Sequence, residues 1–420
     1  MILILIFLIS PFTSFANSDL DHYIRHFNYK ALEMPPKNKS LYFLGIKLFY
    51  DKGLSGKNNI SCQSCHSLTG YSGDSLPLGL GEGAEGLGEK RIQKTGMVLR
   101  RHTPSIYNAG LPGLSEFFWD GRVSLTRKNT WQTPEPKFNG PNPELASVVK
   151  TFTSPLAMQS IFPLTSPEEM LGKESKLTRL EAWDQVMNQI FKGKFATTYE
   201  SMFKAAYPGV KAFNIAHVGN ALAELIRHHF SATNTLWDLY LRGRKDVLSE
   251  RMKRGAVLFN TKAKCIFCHN GNQFSNEFFE NIGAPQIGAD DKGRSLYQFK
   301  VPQLRNVGVS APYMHSGAFK TLREVVSHYD NPIAGLRNFK WNNRHPNYTA
   351  PLNLDRDPVN NDNRENSLSP RLALMLDLSH EEMDDLVCFL AVALTDVSLQ
   401  RDLIKKGIVN EISDCAPRSL

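Results

Sequence analysis

Two short motifs constrain this chain more than any other feature: Cys62-Gln63-Ser64-Cys65-His66 and Cys265-Ile266-Phe267-Cys268-His269. In each, two cysteines lie three positions apart and a histidine follows directly. This is the attachment signature of c-type haem, in which the thiols add across the porphyrin vinyl groups and the histidine reaches the iron. One Cys-x-x-Cys alone would equally fit a zinc knuckle or a redox pair. A zinc site shared by all four cysteines is the competing reading, and it leaves His66 and His269 unexplained. Two covalently bound haem c groups are therefore expected, one on Cys62, Cys65 and His66, the other on Cys265, Cys268 and His269.

A chain of 420 residues has room for two or three domains of about 100–200 residues each. Its hydrophobic content of 41% and charged content of 21% are ordinary for a globular protein. The formal charge of +8 suits an acidic partner, and no long Lys/Arg run marks nucleic acid. Residues 1–16 read as a cleaved signal peptide: Ile2 to Ile9 are apolar, Pro11 interrupts them, and Ser14-Phe15-Ala16 offers small residues for cleavage. The apolar run is too short to span a bilayer, so no transmembrane segment is expected. Export suits c-type haem, and the periplasm is the expected location. The two remaining cysteines, Cys388 and Cys415, fit a disulfide and an inert buried thiol equally.

Along the chain the pattern is helical, with little sign of strands. Leu41 to Phe49, Arg179 to Lys192 and Ile215 to His229 read as helices, and Ser379 with Glu382 forms a capping box for a last one. Gly79-Leu80-Gly81-Glu82-Gly83 lacks the strand-turn-helix context of a dinucleotide site and reads as a loop over a haem face. Residues 331–368, rich in Asn and Pro, read as loop. Gly255-Ala-Val-Leu-Phe259 before the second motif echoes Gly45-Ile-Lys-Leu-Phe49 before the first, a faint helix-then-haem repeat. The expected fold is mainly α, with two cytochrome-c-like haem domains and long loops: an N-terminal unit over 17–243, a C-terminal unit over 244–400, and a tail over 401–420.

No histidine lies between His66 and His102, and Met97 is the sole methionine there, so an open face on the first haem is expected. An open ferric haem binds peroxide, and cleaving peroxide requires a group that moves a proton between its oxygens. Pro167-Glu168-Glu169-Met170 offers carboxylates, although on pattern alone Glu168 and Glu169 read better as an ordinary helix start.

The paired motifs, Phe118-Trp119-Asp120-Gly121-Arg122, Val301-Pro302-Gln303-Leu304-Arg305-Asn306 and Ala311-Pro312-Tyr313-Met314-His315-Ser316-Gly317 together resemble the bacterial dihaem cytochrome c peroxidase family, which includes MauG. The resemblance covers about residues 40 to 396. It implies a periplasmic, mainly helical protein that uses one haem for peroxide and the other for electron transfer. It makes His66 the proximal ligand of the peroxidatic iron, Glu169 the acid/base group, Trp119 the electron relay between haems and His269 the proximal ligand of the second iron. The sixth ligand of that iron falls fourteen residues after the histidine of the Pro-Tyr-x-His turn. Counting from His315 reaches Tyr329, as in MauG-type enzymes, where classical peroxidases have Met. Met314 and His328 are the competing ligands.

Four departures from the family pattern stand out. A calcium ion between the domains is implied at the carbonyls of Ser310 and Pro312, but His102 replaces the family's Asn. Asn129 matches the family's distal Gln only roughly. Ala263 stands where MauG has the Trp that passes oxidising equivalents to its protein substrate, and Ser316 replaces an Asp. The resulting expectation is a MauG-like peroxidase that uses hydrogen peroxide to oxidise a partner protein through high-valent haem iron. The partner is either a redox carrier or a protein bearing an oxidisable aromatic side chain. An ordinary peroxidase that detoxifies peroxide and a dihaem electron carrier without catalysis are the alternatives.

Overall fold

The computed structural model describes residues 12–67, 71–405 and 415. The expected signal segment, residues 1–16, lies outside them up to Pro11, as does most of the expected tail. The fold is mainly α. Among the described residues the strands are two or three residues long and form one three-stranded and one two-stranded antiparallel patch.

Side-chain caps set where the helices begin. Asn38 caps Lys39–Tyr50, Thr178 and Glu181 form a capping box for Arg179–Lys192, and Ser379 with Glu382 does so for His380–Cys388. Ile215–His229 starts at Asn214 and is buried over most of its length. It is the central helix of the first core, packed among Leu44, Leu48, Trp183 and Phe203.

The faint repeat has a physical basis. Lys39–Tyr50 crosses Ile215–His229 at Gly45, where a Cβ would lie 2.2 Å from the Ala221 carbonyl oxygen. Glu250–Asn260 crosses His380–Cys388 at Gly255, where a Cβ would lie 2.0 Å from the Asp385 carbonyl oxygen. Only glycine lets two helix backbones approach this closely, so each motif is preceded by the same tight helix pair.

The second core gathers Trp237, Phe259, Phe274 and Phe389, and Leu20 and Tyr29 join it from the start of the chain. The helix Phe12–His26 thus packs on the second core, although residues 20–29 precede the first motif. Cys388 and Cys415 are bonded, with Cα atoms 5.4 Å apart, and tie the last apolar helix to the end of the chain.

Residues 331–368 differ from the loop expected of them. They include helices Pro332–Arg337 and Pro358–Asn366, capped by Asn331 and Asp357, each with proline at the first turn. Asn or Asp directly before Pro is a helix start as readily as a turn. The segment adds a third apolar cluster, in which Tyr348 and Leu352 pack with Leu76, Leu78 and Leu80. The Leu78 amide donates to the Tyr348 hydroxyl at 3.1 Å. Buried Arg364 anchors the segment through Asp290 at 2.6 Å and Asp355 at 2.7 Å. The glycine-rich stretch is thereby held under a lid made from the second half of the chain.

Candidate functional site

A cavity of about 430 Å³ lies between the two halves. It is lined by Cys62, Cys65 and His66, by Pro302, Gln303, Leu304 and Arg305, and by Trp119, Arg122, Glu168 and Glu169.

The first motif sits on the four-residue helix Cys62–Cys65. The chain turns back at once, and the His66 Nδ1–H donates to the Ser72 carbonyl at 2.8 Å. The second motif repeats the arrangement: the His269 Nδ1–H donates to the Phe274 carbonyl at 2.9 Å. A carbonyl on Nδ1 fixes the tautomer and leaves Nε2 as the nitrogen able to bind metal. Burial lowers both imidazoles, His269 to about 4, so both rings are neutral as ligation requires. The Pro302 carbonyl also reaches the His269 ring, and Pro302 in turn lines the cavity.

None of the four motif cysteines is in a disulfide. Burial pushes Cys62 and Cys265 up to about 12 and Cys65 up to about 11, so they are neutral. Among the described residues no three His, Cys, Asp or Glu side chains gather as a metal site, which removes the shared zinc alternative. The cavity suits a porphyrin. Its walls are apolar at Leu80, Leu99, Phe117, Leu156 and Met170, while Arg100, Arg101, Arg122, Lys300 and Arg305 offer cations for carboxylates. The Arg305 Nη2 and Gln303 Oε1 atoms are buried without a hydrogen-bond partner, a deficit that a polar ligand group would meet.

Glu169 sits in the turn Pro167–Leu171. Backbone contacts clamp that turn: the Gly56 amide donates to the Met170 carbonyl and the Glu82 amide to the Glu169 carbonyl, at 2.9 and 2.8 Å. A Cβ on Gly81 would lie 1.8 Å from the Glu168 carbonyl oxygen, so the glycine-rich loop serves to bring this turn in close. Burial raises the Glu169 carboxyl above its ordinary value. Arg122, 3.5 Å away, opposes the rise, and Glu168 and Asp120 add to it.

Trp119 lines the cavity. Its indole N–H donates to the His102 carbonyl at 3.0 Å, and its own carbonyl accepts from the Lys300 amide at 2.8 Å. Arg101 pairs with Asp120 at 2.7 Å and with Asp291 at 2.6 Å, so the Trp119 loop is tied to the second half of the chain. Burial favours the neutral Asp120 carboxyl, but Arg122 and Arg101 outweigh it and hold the group low. Arg122 also stacks over Phe118, 3.6 Å from the ring centroid. The motif pointed to Trp119 alone; Asp120 and Arg122, its neighbours in the same five residues, are what orient the Trp119 loop and tune Glu169.

Residues 39–246 match the family model described as di-haem cytochrome c peroxidase. The chain belongs to this family. Among its relatives, the methylamine utilization protein MauG of Methylophilus methylotrophus is 26% identical over 304 residues, covering 68% of this chain and 71% of that protein. The cytochrome c peroxidase Ccp of Escherichia coli K12 is 28% identical over 297 residues, covering 67% of this chain and 51% of that protein. A crystal structure of a MauG-like protein associated with microbial copper homeostasis superposes with a TM-score of 0.58 at 24% identity, covering 88% of this chain and 95% of that one.

Within a dihaem peroxidase framework the remaining expected residues fall as follows. Tyr329 ends the helix Leu322–Asp330 and faces the second motif: its phenol is raised by burial first, then by the nearby Cys268 and Cys265. Of its competitors, Met314 lines the cavity of the first motif. The His328 Nε2–H donates to the Ile282 carbonyl at 2.8 Å, and its other nitrogen packs against Gly335. Met97 is absent from the cavity lining; its carbonyl accepts from the Gly81 amide at 2.8 Å. Ser310 and Pro312 line the cavity, but the His102 Nδ1–H donates to the Leu76 carbonyl at 2.8 Å. Calcium takes six to eight oxygen ligands, and at this position a neutral imidazole bonded elsewhere supplies none of them.

Proposed function

We propose that this protein is a periplasmic MauG-like dihaem peroxidase that reduces hydrogen peroxide and draws the electrons from a partner protein. The partner is either a small redox carrier or a protein with an oxidisable aromatic side chain. The observation that carries the reading is the cavity that joins His66, Glu169 and Trp119 to the Pro302–Arg305 segment against His269.

Bound haem supplies the redox chemistry. Cys62, Cys65 and His66 would hold the first group, and Cys265, Cys268 and His269 the second, with Tyr329 as the further ligand that its spacing from His315 implies. Glu169 takes a proton from one peroxide oxygen and returns it to the other as that oxygen leaves as water. Arg122 keeps enough positive charge beside Glu169 for the carboxylate to form, while burial keeps its affinity for a proton high. Trp119 lines the cavity shared by His66 and the Pro302–Arg305 segment, and its ring would relay electrons between the two groups. Tyr329 near Cys265 and Cys268 favours the MauG-like reading over an ordinary peroxidase, because a phenolate is a hard anionic donor suited to oxidised iron. No helix among the described residues is long and apolar enough to cross a membrane.

The test is peroxide turnover by the haem-loaded protein with a reduced small redox protein. The expected result is two donor molecules oxidised per peroxide consumed. Donor oxidation that does not depend on peroxide would leave only an electron carrier.

A further inference from the structure

Tyr29, Trp237 and Tyr240 are fully or almost fully buried beside the second motif, and nothing in the mechanism above uses them. Tyr29 lies close enough to Cys265 for the thiol to act on its phenol, and it stacks on Phe274 with ring centroids 5.6 Å apart. Phe274 is the residue whose carbonyl fixes His269. From Tyr29 the next ring is Trp237 at 5.5 Å, and from Trp237 the next is Tyr240 at 6.3 Å, nearly parallel. These separations are those of rings in contact. The series ends just beneath the surface, where the buried Tyr240 hydroxyl donates to partly exposed Asp21 at 3.3 Å and exposed Lys245 pairs with the same carboxylate at 2.7 Å.

Packing does not explain the choice of side chains. The same core is filled elsewhere by Phe259, Phe274 and Phe389, whereas the Trp237 indole N–H is buried with no hydrogen-bond partner among the described residues. A phenylalanine there would fill much of that space without leaving a donor unpaired. What tryptophan adds is an oxidisable ring. Its N–H has nowhere to send a proton, so a charge arriving there moves on. At Tyr240 the situation changes, because the phenol has Asp21 as proton acceptor. Lys245, 3.9 Å over the Tyr240 ring, opposes a positive charge on it and so favours loss of the proton.

We infer that Tyr29, Trp237 and Tyr240 form an electron ladder that carries oxidising equivalents from the second attachment motif to the surface beside Asp21. The inference rests on the peroxidase reading. Reducing one hydrogen peroxide to two waters takes two electrons, supplied through the ladder, and two protons, supplied by solvent. In each of two passages one electron moves from Tyr240 through Trp237 and Tyr29 toward the second haem. The phenolic proton goes to Asp21 and leaves a neutral tyrosyl radical. A one-electron reductant at the surface then restores Tyr240, and the proton returns from Asp21.

The test uses the full haem-loaded protein, hydrogen peroxide and a nitroso spin trap, with adducts located by peptide mass spectrometry. In the unaltered protein the expected adduct is on Tyr240. Trp237→Phe, which suits the surrounding phenylalanines, should lower that adduct at least tenfold, while the optical change on adding peroxide is unaltered. Tyr240→Phe should abolish it and lengthen the lifetime of the oxidised protein. An undiminished Tyr240 adduct in Trp237→Phe, or adducts only at other tyrosines, would overturn the ladder and leave the peroxidase reading standing. No optical response to peroxide in the unaltered protein would overturn both.

Discussion

Replacing Glu169 by glutamine is expected to slow the reaction with hydrogen peroxide by roughly 10²–10⁴-fold, the range for a positioned acid/base group. At about 1.4 kcal/mol per factor of ten, this is about 3–5 kcal/mol of lost transition-state stabilisation. The variant should keep its fold, because backbone contacts from Gly56 and Glu82 hold the turn rather than the carboxylate. Haem content should therefore be unchanged while stopped-flow spectra show delayed oxidation. The pH profile gives a second signature. Glu169 accepts a proton from peroxide only when ionised, and burial raises it above its ordinary 4.5. The rate should therefore fall on the acid side at a pH above 4.5, and the glutamine variant should lose that limb. Glu168, exposed at the same turn, serves as the control: its glutamine variant should be nearly silent. An unchanged rate in Glu169→Gln would move the proton transfer to another group.

Tyr329 carries the second large effect. Replacing it by methionine should raise the potential of the second haem, since a neutral thioether stabilises oxidised iron less than an anionic phenolate does. A long-lived two-electron-oxidised state after peroxide should then disappear, while peroxide still reacts at the first haem. Tyr329→Phe, with no donor atom, should change the low-spin optical and magnetic signals of the second haem. Signals that persist unchanged would assign the ligand elsewhere. Of the competitors, Met314 lines the cavity shared with Cys62, Cys65 and His66, and His328 has one nitrogen on a carbonyl and the other against Gly335.

Much of this site is local and so was readable along the chain. The cysteine and histidine spacing, the Thr178 and Ser379 helix starts and the mainly helical pattern each need only a few neighbouring residues. What escaped depends on partners far apart. Arg101 means little until Asp291, from the other half, closes on it. Gly81 looks like any loop glycine until the Glu168 carbonyl is found against it. The 331–368 segment looked like polar loop because the apolar partners of its Tyr348 and Leu352 come from residues 76–84. The helix Ala196–Ala206 was missed although Tyr199, Phe203 and Ala206 mark its buried stripe. Its opening Ala-Thr-Thr-Tyr is rich in weak helix formers, and the stripe decides the matter by packing on the first core.

The central claim is that two haems share one site, the first with an open iron and the second closed by Tyr329. The most direct measurement is the electron paramagnetic resonance spectrum of the ferric, haem-loaded protein, recorded before and after one equivalent of hydrogen peroxide. The account predicts a high-spin signal from the iron on His66 together with a low-spin signal from the iron between His269 and Tyr329, both diminished by that single equivalent. A resting spectrum holding only low-spin species, unchanged by peroxide, would contradict it.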